Sequence, residues 1–447
     1  MITTPICDFA AAYESSGALR LHMPGHKGAP FLGIEGRDLT EIDGADVLYD
    51  AQGIILESEE NARQLFGTGH TLYSTEGSSL CIRAMLYLAM LYARSVGRRP
   101  LIAAARNAHK VFMTAAALLD MEIRWLFPKE SGSVVSCTLD LPTVEQVLKE
   151  EQPAALYVTS PDYLGHMADI PALSALCRRY GTLLMVDNAH GAYLKFLPES
   201  RHPIDLGADL CCDSAHKTLP VLTGGAYLHI ARSAPSFLGD HAQNALSLFA
   251  STSPSYLILQ SLDQANRYLS DGYGEKLASV MNGLSLLRER LSAAGYAVIG
   301  DEPAKLTLAP KSRGWRGDEI ACHLQEHGVV CEFADPDFVV MMFTPEISPA
   351  QIDSMAELLL DLPARPTLSE QPPVLHRPVQ RVTLREAVFS VQECIPITQA
   401  EGRILAAPSV NCPPAVPIVV CGEEIDASAV ACFRYYGIEQ VYVVKDR

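Results

Sequence analysis

The chain reads as an α/β protein: a mostly parallel sheet with helices on both faces, then a smaller α+β domain and a small C-terminal module. Three observations predict this. From about residue 56 helix-like and strand-like segments alternate, the order that a parallel sheet requires. The strand candidates are continuous apolar runs, as strands covered on both faces are. Past about residue 270 the texture turns to short strands and amphipathic helices, and the proline-rich stretch "PARPTLSEQPPVLHRPVQ" sets off the C-terminal end. These breaks divide the chain into a large domain (46–268), a small α+β domain (269–364), a linker (365–378) and a C-terminal module (379–447).

The elements follow in order. "LESEENARQLFG" is a short amphipathic helix ended by Gly67, and "SSLCIRAMLYLAMLYARSVG" a long apolar helix opening at a serine cap. "LIAAA" (101–105) is a strand, and "HKVFMTAAALLD" the helix after it. "EIRWLF", "AALYV" and "TLLMVD" are further strands, with helices over 142–151 and 171–180. "ADLCCD" and "GAYLHI" complete the large sheet. In the small domain "GEKLASVMNGLSLLRERLSAAG", "GDEIACHLQEHG" and "SPAQIDSMAELLLDL" are helices, and "KLTLAP" and "DFVVMMF" strands. No internal repeat is visible.

Bulk properties narrow the function. With 447 residues and 48% hydrophobic composition the chain can build two or three cored domains. A formal charge of −17 argues against nucleic acid or an anionic membrane as partner, since both need a basic face. The N-terminus lacks the basic start and apolar run of a secretory leader. No stretch reaches the ~18 uninterrupted apolar residues of a spanning helix. Twelve cysteines occur without a C-x-x-C pair, so a zinc site is not expected. Adjacent Cys211 and Cys212 read as buried core thiols, and a reducing cytoplasm fits best. His22 and His26 are spaced as on a helix, but Pro24 and Gly25 between them exclude one, and with it a metal pair.

Polar residues gather where the predicted strands end: Arg106-Asn107-Ala108-His109-Lys110, Thr159-Ser160-Pro161-Asp162-Tyr163, Asp187-Asn188-Ala189-His190 and Ser214-Ala215-His216-Lys217. Ligands of parallel sheets bind beyond the C-terminal strand ends, so four such clusters indicate one pocket. Lys217 is either a loop lysine with its stem on the surface or an amine in a dry pocket, with a lowered pKa and the capacity to form a Schiff base. Asp187 is either a helix cap or the carboxylate that keeps the pyridine nitrogen of pyridoxal phosphate protonated. His109 is either a surface histidine or one lying flat over a planar ring. "TEGSSL" puts Gly77, Ser78 and Ser79 at a helix start, an anion site or simply a serine cap. Ser214 and His216 are placed to bind the same phosphate.

This chain order of phosphate cradle, histidine, carboxylate and lysine resembles the prokaryotic ornithine/lysine/arginine decarboxylase family. "LHMPGHKG" (21–28), "GSS" (77–79), "RNAHK" (106–110), "SPDYLG" (160–165), "DNAHGAY" (187–193), "DSAHKTLP" (213–220) and "TSPSY" (252–256) carry the likeness, with "LREAVF", "AEGRI" and "CPPAVPIVVCGEEI" near the end. The resemblance implies the aspartate aminotransferase fold (fold type I) and a compact branch without an N-terminal wing. It implies that Lys217 carries pyridoxal phosphate as a Schiff base, that Asp187 faces the pyridine nitrogen and that His109 stacks on the ring. Gly77, Ser78, Ser79, Ser214 and His216 match the phosphate site. Ala189 would pack under the ring, with His190 beside it. Thr252 and Ser253 match a segment that reaches the neighbouring subunit's phosphate, which implies a homodimer, and residues 1–45 become an N-terminal arm near its interface.

The implied reaction is α-decarboxylation of arginine, lysine or ornithine to a di- or polyamine, with Lys217 or His216 returning a proton. Glu332 and Glu423 are candidate partners for the distal cation of the substrate. An aminotransferase or lyase is the nearest alternative, with Arg313 and Arg316 as possible carboxylate clamps; a silent regulatory homologue is another. The sequence departs from the family pattern in two places. Glu76 stands in the phosphate loop where Asn-Gly is usual, and Asn188 follows the aspartate where a glutamate is common.

Overall fold

The computed structural model describes residues 2–128, 133–408 and 416–445; residues 412–415, the start of "CPPAVPIVVCGEEI", lie outside them. Seven strands form one sheet: β1 (His70–Ser74), β2 (Leu101–Ala105), β3 (Glu122–Leu126), β4 (Ala155–Thr159), β5 (Leu183–Asp187), β6 (Leu210–Asp213) and β7 (Ala226–Ile230), in the order β1-β7-β6-β5-β4-β2-β3. β2 with β3 and β5 with β6 are parallel, while β7 runs antiparallel to both β6 and β1. Every residue of β2 and β5 is buried, which is why they read as unbroken apolar runs. β1 was not expected from the sequence. Its first residue is exposed and it mixes polar with apolar side chains, as an edge strand does.

Helices α1 (Pro5–Ser15) and α2 (Ile54–Phe66) precede β1, and α3 (Gly77–Ser95) follows it. The connections onward from β2 are α4 (Lys110–Leu118), α5 (Leu141–Glu151) and α6 (Ile170–Tyr180); the one-turn α7 (Ala215–Thr218) joins β6 to β7. α2 stops at Gly67, whose φ of 70° suits the left-handed cap. After β7 come α8 (Ser236–Asp240), α9 (Ala242–Ser247), α10 (Tyr256–Ser270) and α11 (Tyr273–Ala293).

The chain divides into two compact units. The first runs to Pro100 and adds Gln152–Tyr157 and Ile170–Lys276. Inside it a buried polar knot ties α2, β1 and α10 together: Ser58 Oγ lies 2.8 Å from Tyr73 Oη and donates to Asp263 Oδ1 at 2.6 Å, and Asn266 donates to Tyr73 Oη at 2.8 Å.

The second unit comprises Leu101–Glu151, Val158–Asp169 and the chain from Leu277 onward. It contains a four-stranded antiparallel sheet of β8 (Ala297–Ile299), β9 (Lys305–Ala309), β10 (Phe333–Ala334) and β11 (Val339–Met342), ordered β10-β11-β9-β8. Helices α12 (Gly317–Glu326) and α13 (Pro349–Leu360) share a core with it through Ile320, Leu324, Leu306, Val339 and Leu359. α13 starts where Ser348 and Gln351 form a reciprocal capping box ahead of Pro349. After α14 (Leu384–Val388), a three-stranded sheet of β12 (Gln392–Pro396), β13 (Leu405–Ala407) and β14 (Gln440–Val444) encloses a small core with α15 (Ala427–Tyr435).

Candidate active site

β5 and β6 lie side by side, with Asp187 opposite Cys212, so Asp187 and the turn that bears Lys217 leave adjacent strand ends. Asp187 is 2% exposed. Three donors hold its carboxylate: the Tyr157 hydroxyl at 3.0 Å, the Ala189 N–H at 3.2 Å and the Cys212 thiol at 3.6 Å. Burial, helped by the Asp187 charge, pushes the Tyr157 phenol well above its usual range, so this group stays a donor. All three donors are neutral, which suits the carboxylate to a cationic partner such as a protonated pyridine nitrogen.

Beyond β6, Ser214 leads into α7, which carries His216 and Lys217. Lys217 Nζ lies 2.9 Å from His190 Nε2, and His190 is three residues past Asp187. Lys217 is exposed, while Ala215 and Thr218 of the same turn are buried. His216 Nδ1 is 2.9 Å from the Gly225 carbonyl oxygen. Burial lowers the His216 pKa, the Gly225 bond opposes that, and the Lys217 charge adds to it.

The candidate anion cradle is built on glycine. α3 begins at Gly77, with Glu76 at the cap position making no side-chain cap bond. Ser78 is therefore inside the first turn and is not the cap that the sequence allowed; its Oγ instead receives the Ser214 hydroxyl at 2.8 Å. Gly77 has φ 68° and its N–H donates to the Gly224 carbonyl at 2.7 Å. Gly224 has φ 101°, and a Cβ there would lie 2.8 Å from the Thr75 carbonyl oxygen. First-turn N–H groups beside the Ser78 and Ser214 hydroxyls are a donor set for phosphate, with Ser79 next in the same turn. Glu76 does not crowd this set: its Oε1 accepts the Ser251 N–H at 2.7 Å, and the exposed Thr252 and Ser253 follow directly.

In the second unit, His109 caps α4, its Nδ1 accepting the Val111 N–H at 3.2 Å. Glu332 is exposed and accepts the Tyr163 hydroxyl at 2.7 Å. Glu423 is buried and paired with Arg106 at 2.7 Å, so its carboxylate is committed within the fold. Arg313 donates to the Ala294 and Leu362 carbonyls, and Arg316 is locked onto Asp318; neither matches a carboxylate clamp for aminotransfer. A cleft of about 770 Å³ in this unit is lined by Arg106, Phe127, Lys311 and Arg377 and contains no residue of the candidate site. The sequence reading missed Tyr157, buried in an apolar strand with nothing local to single it out, and Asp213, whose partners are distant in the chain.

The fold is the one that fold type I pyridoxal-phosphate enzymes share. Among its structural neighbours is an SPT variant solved with PLP, with a TM-score of 0.55 and 14% identity, covering 71% of this chain and 79% of that one. The family follows from the sequence. Residues 4–294 match "Orn/Lys/Arg decarboxylase, major domain" and residues 372–442 the C-terminal domain of the same family; the chain belongs to this family and is a decarboxylase. It is 29% identical to an arginine decarboxylase of Bacillus subtilis, covering 94% of this chain and 91% of that protein. The lysine decarboxylase of Francisella novicida shares the fold at a TM-score of 0.80 and 16% identity, covering 99% of this chain and 81% of that one. Among the described residues no helix is long and apolar enough to cross a membrane.

Proposed function

We propose that this chain binds pyridoxal 5'-phosphate on Lys217 and removes the α-carboxylate of arginine, lysine or ornithine, releasing CO₂ and a di- or polyamine. One observation carries the reading: the adjacent ends of β5 and β6 bear a buried carboxylate with neutral donors and a lysine whose Nζ meets His190 at 2.9 Å.

When bound, the cofactor supplies an electron-accepting ring that stabilises the negative charge left on Cα as CO₂ departs. Asp187 holds the ring nitrogen in its cationic form. Gly77, Ser78, Ser79 and Ser214 hold the phosphate through first-turn N–H groups and hydroxyls, with His216 beside them. Ala189 and His190 follow the carboxylate in the chain, and the family likeness gives His109 the ring-stacking role. Lys217 holds the cofactor through its amine and returns the proton to Cα. His216 is the poorer donor for that step: its lowered pKa keeps it neutral near pH 7, and its Nδ1–H is already given to Gly225. Of the two candidate carboxylates for the distal cation, Glu332 is the available one. Relatives named for arginine and for lysine support a basic substrate without choosing between them.

The reading extends to a homodimer, with Thr252 and Ser253 near the partner's phosphate. Leu19, Leu21, Phe31 and Leu32 of the N-terminal arm stand 78–83% exposed, the kind of apolar surface that a second subunit covers. The cysteines described are free thiols, in keeping with a cytoplasmic location. Incubating the purified holoenzyme with arginine, lysine, ornithine and larger polyamine precursors, and following CO₂ against keto-acid formation, tests this. CO₂ and an amine from one of them support it; keto acid as the main product refutes it.

A further inference from the structure

The residue after Asp187 is an asparagine where the family likeness carries a glutamate, and the fold gives a physical reason. Asn188 is fully buried, and its Nδ2 donates to Asp213 Oδ1 at 2.7 Å. Asp213 ends β6, also fully buried, four residues before Lys217. Its carboxylate has four donors. Asn188 and the Cys211 thiol (3.5 Å) serve Oδ1, while His202 Nε2 (3.0 Å) and His229 Nε2 (3.2 Å) serve Oδ2. The rings are set from behind. The Ile204 N–H donates to His202 Nδ1 at 3.4 Å, and Thr71, linked to Thr68 at 2.7 Å, reaches His229 Nδ1 at 2.9 Å. The Asp213 carboxylate, held ionised by the two histidines, only accepts, so each Nε2 carries the proton that goes to it. Gly191 leaves the room: a Cβ there would lie 1.9 Å from Asn188 Oδ1. A glutamate at 188 would press a second carboxylate against one already fully supplied with donors.

We propose that Asn188 is a positioning residue, whose amide clasps the Asp213 carboxylate and so fixes the strand end that bears Asp187 against the one that bears Lys217. His202 and His229 hold the same carboxylate from its other oxygen. The inference rests on the reading of Asp187 and Lys217 as the cofactor-holding pair.

Asn188→Asp tests it. The titratable groups facing Asp213 are His202, His229, Tyr227, Cys211, Cys212 and, from α3, Cys81; Asp187 faces the three cysteines, and Lys195 faces His229. Two carboxylates in hydrogen-bond contact share one proton. The variant therefore keeps the clasp while its new acid is protonated and loses it as pH rises. Cofactor retained after dialysis is measured from about pH 6 to about pH 9. The native holoenzyme should retain it evenly, Asn188→Asp should lose about tenfold or more toward the alkaline end, and Asn188→Ala should lose it evenly across the range. The swap Asn188→Asp with Asp213→Asn exchanges the two groups. The amide, now on β6, accepts both histidine N–H groups and donates to the carboxylate that has moved to the end of β5, so native retention should return.

A loss in Asn188→Asp that does not depend on pH, no loss, or a swap no better than the single variants would overturn the proposal. About one equivalent of zinc or iron in the purified chain would overturn it too, because the histidines would then give lone pairs and not N–H bonds. If the native chain traps no cofactor on Lys217, the proposed function fails. Unfolding temperatures of the cofactor-free chains then test the clasp alone: Asn188→Asp should fall with rising pH relative to native, and the swap should regain it.

Discussion

Glu423→Ala should loosen the C-terminal module strongly, and Glu423→Gln moderately. The Arg106 and Glu423 side chains are 9% and 3% exposed and meet at 2.7 Å. Glu423 Oε2 also accepts the Val420 N–H at 2.8 Å, and Arg106 also donates to the Ile418 carbonyl at 3.3 Å. Arg106 Nε and Nη1 are buried without partners, the guanidinium lying over the Trp125 and Phe127 rings. Truncation would leave a buried cation with one carbonyl for company. Removing one partner of a buried pair costs about 3–5 kcal/mol. Glutamine keeps the shape and one acceptor, and its cost is about 1.5–3 kcal/mol, the size of a hydrogen bond to a charged group. Replacing both residues by methionine should be close to neutral. Hydrogen exchange of peptides spanning 416–425 reads the difference, at about tenfold for each 1.4 kcal/mol: about a hundredfold to a few thousandfold faster for the alanine variant. Exchange no faster than native, with a raised KM for the amino-acid substrate, would refute this reasoning and give Glu423 a substrate-recognition role.

Two further outcomes are expected. Gly224→Ala should cut cofactor retention about tenfold or more, since its Cβ meets the Thr75 carbonyl at 2.8 Å at a left-handed φ. Gly283→Ala, with nothing within 4 Å in mid-helix, should retain cofactor as native and raise the unfolding temperature slightly; equal retention by both variants would count against the cradle. Burial pushes the Asp263 carboxyl up to about 6 from 3.8, its Ser58 and Cys7 bonds opposing, so the native state holds a proton that the unfolded chain releases. Its contribution to stability is greatest below about pH 4, falls through about pH 6 and is level above, a change on the order of 3 kcal/mol. Unfolding free energies of native and Asp263→Asn protein, compared between those pH values, should converge or diverge by that amount; a constant difference would contradict it.

Much of the sheet was legible because its inner strands are buried at nearly every residue and read as apolar runs. β1 was not, since His70 and Thr71 break the run at a sheet edge. α10 escaped because Gln260, Asp263 and Asn266 interrupt its apolar face. They are buried nonetheless, bonded to the Arg37 carbonyl, to Ser58 and to Tyr73, partners that no local pattern reveals. Lys217 and Asp187 were legible because each stands in a polar knot at the end of an apolar strand. Which of the two settings read for Lys217 applies, surface or pocket, was not, since apolar neighbours in sequence do not fix what covers a one-turn helix. The four donors around Asp213 come from separate segments that only the sheet brings together, so Asn188 registered as a departure from a family pattern and nothing more.

Borohydride reduction of the holoenzyme, followed by peptide mass mapping, reaches the central claim most directly. A reduced pyridoxyl adduct confined to the peptide that contains Lys217, and absent from Lys217→Ala together with the visible absorbance, is the predicted result. An adduct on another lysine, such as Lys110 or Lys195, or no adduct in protein that still releases CO₂ from a basic amino acid, would contradict it.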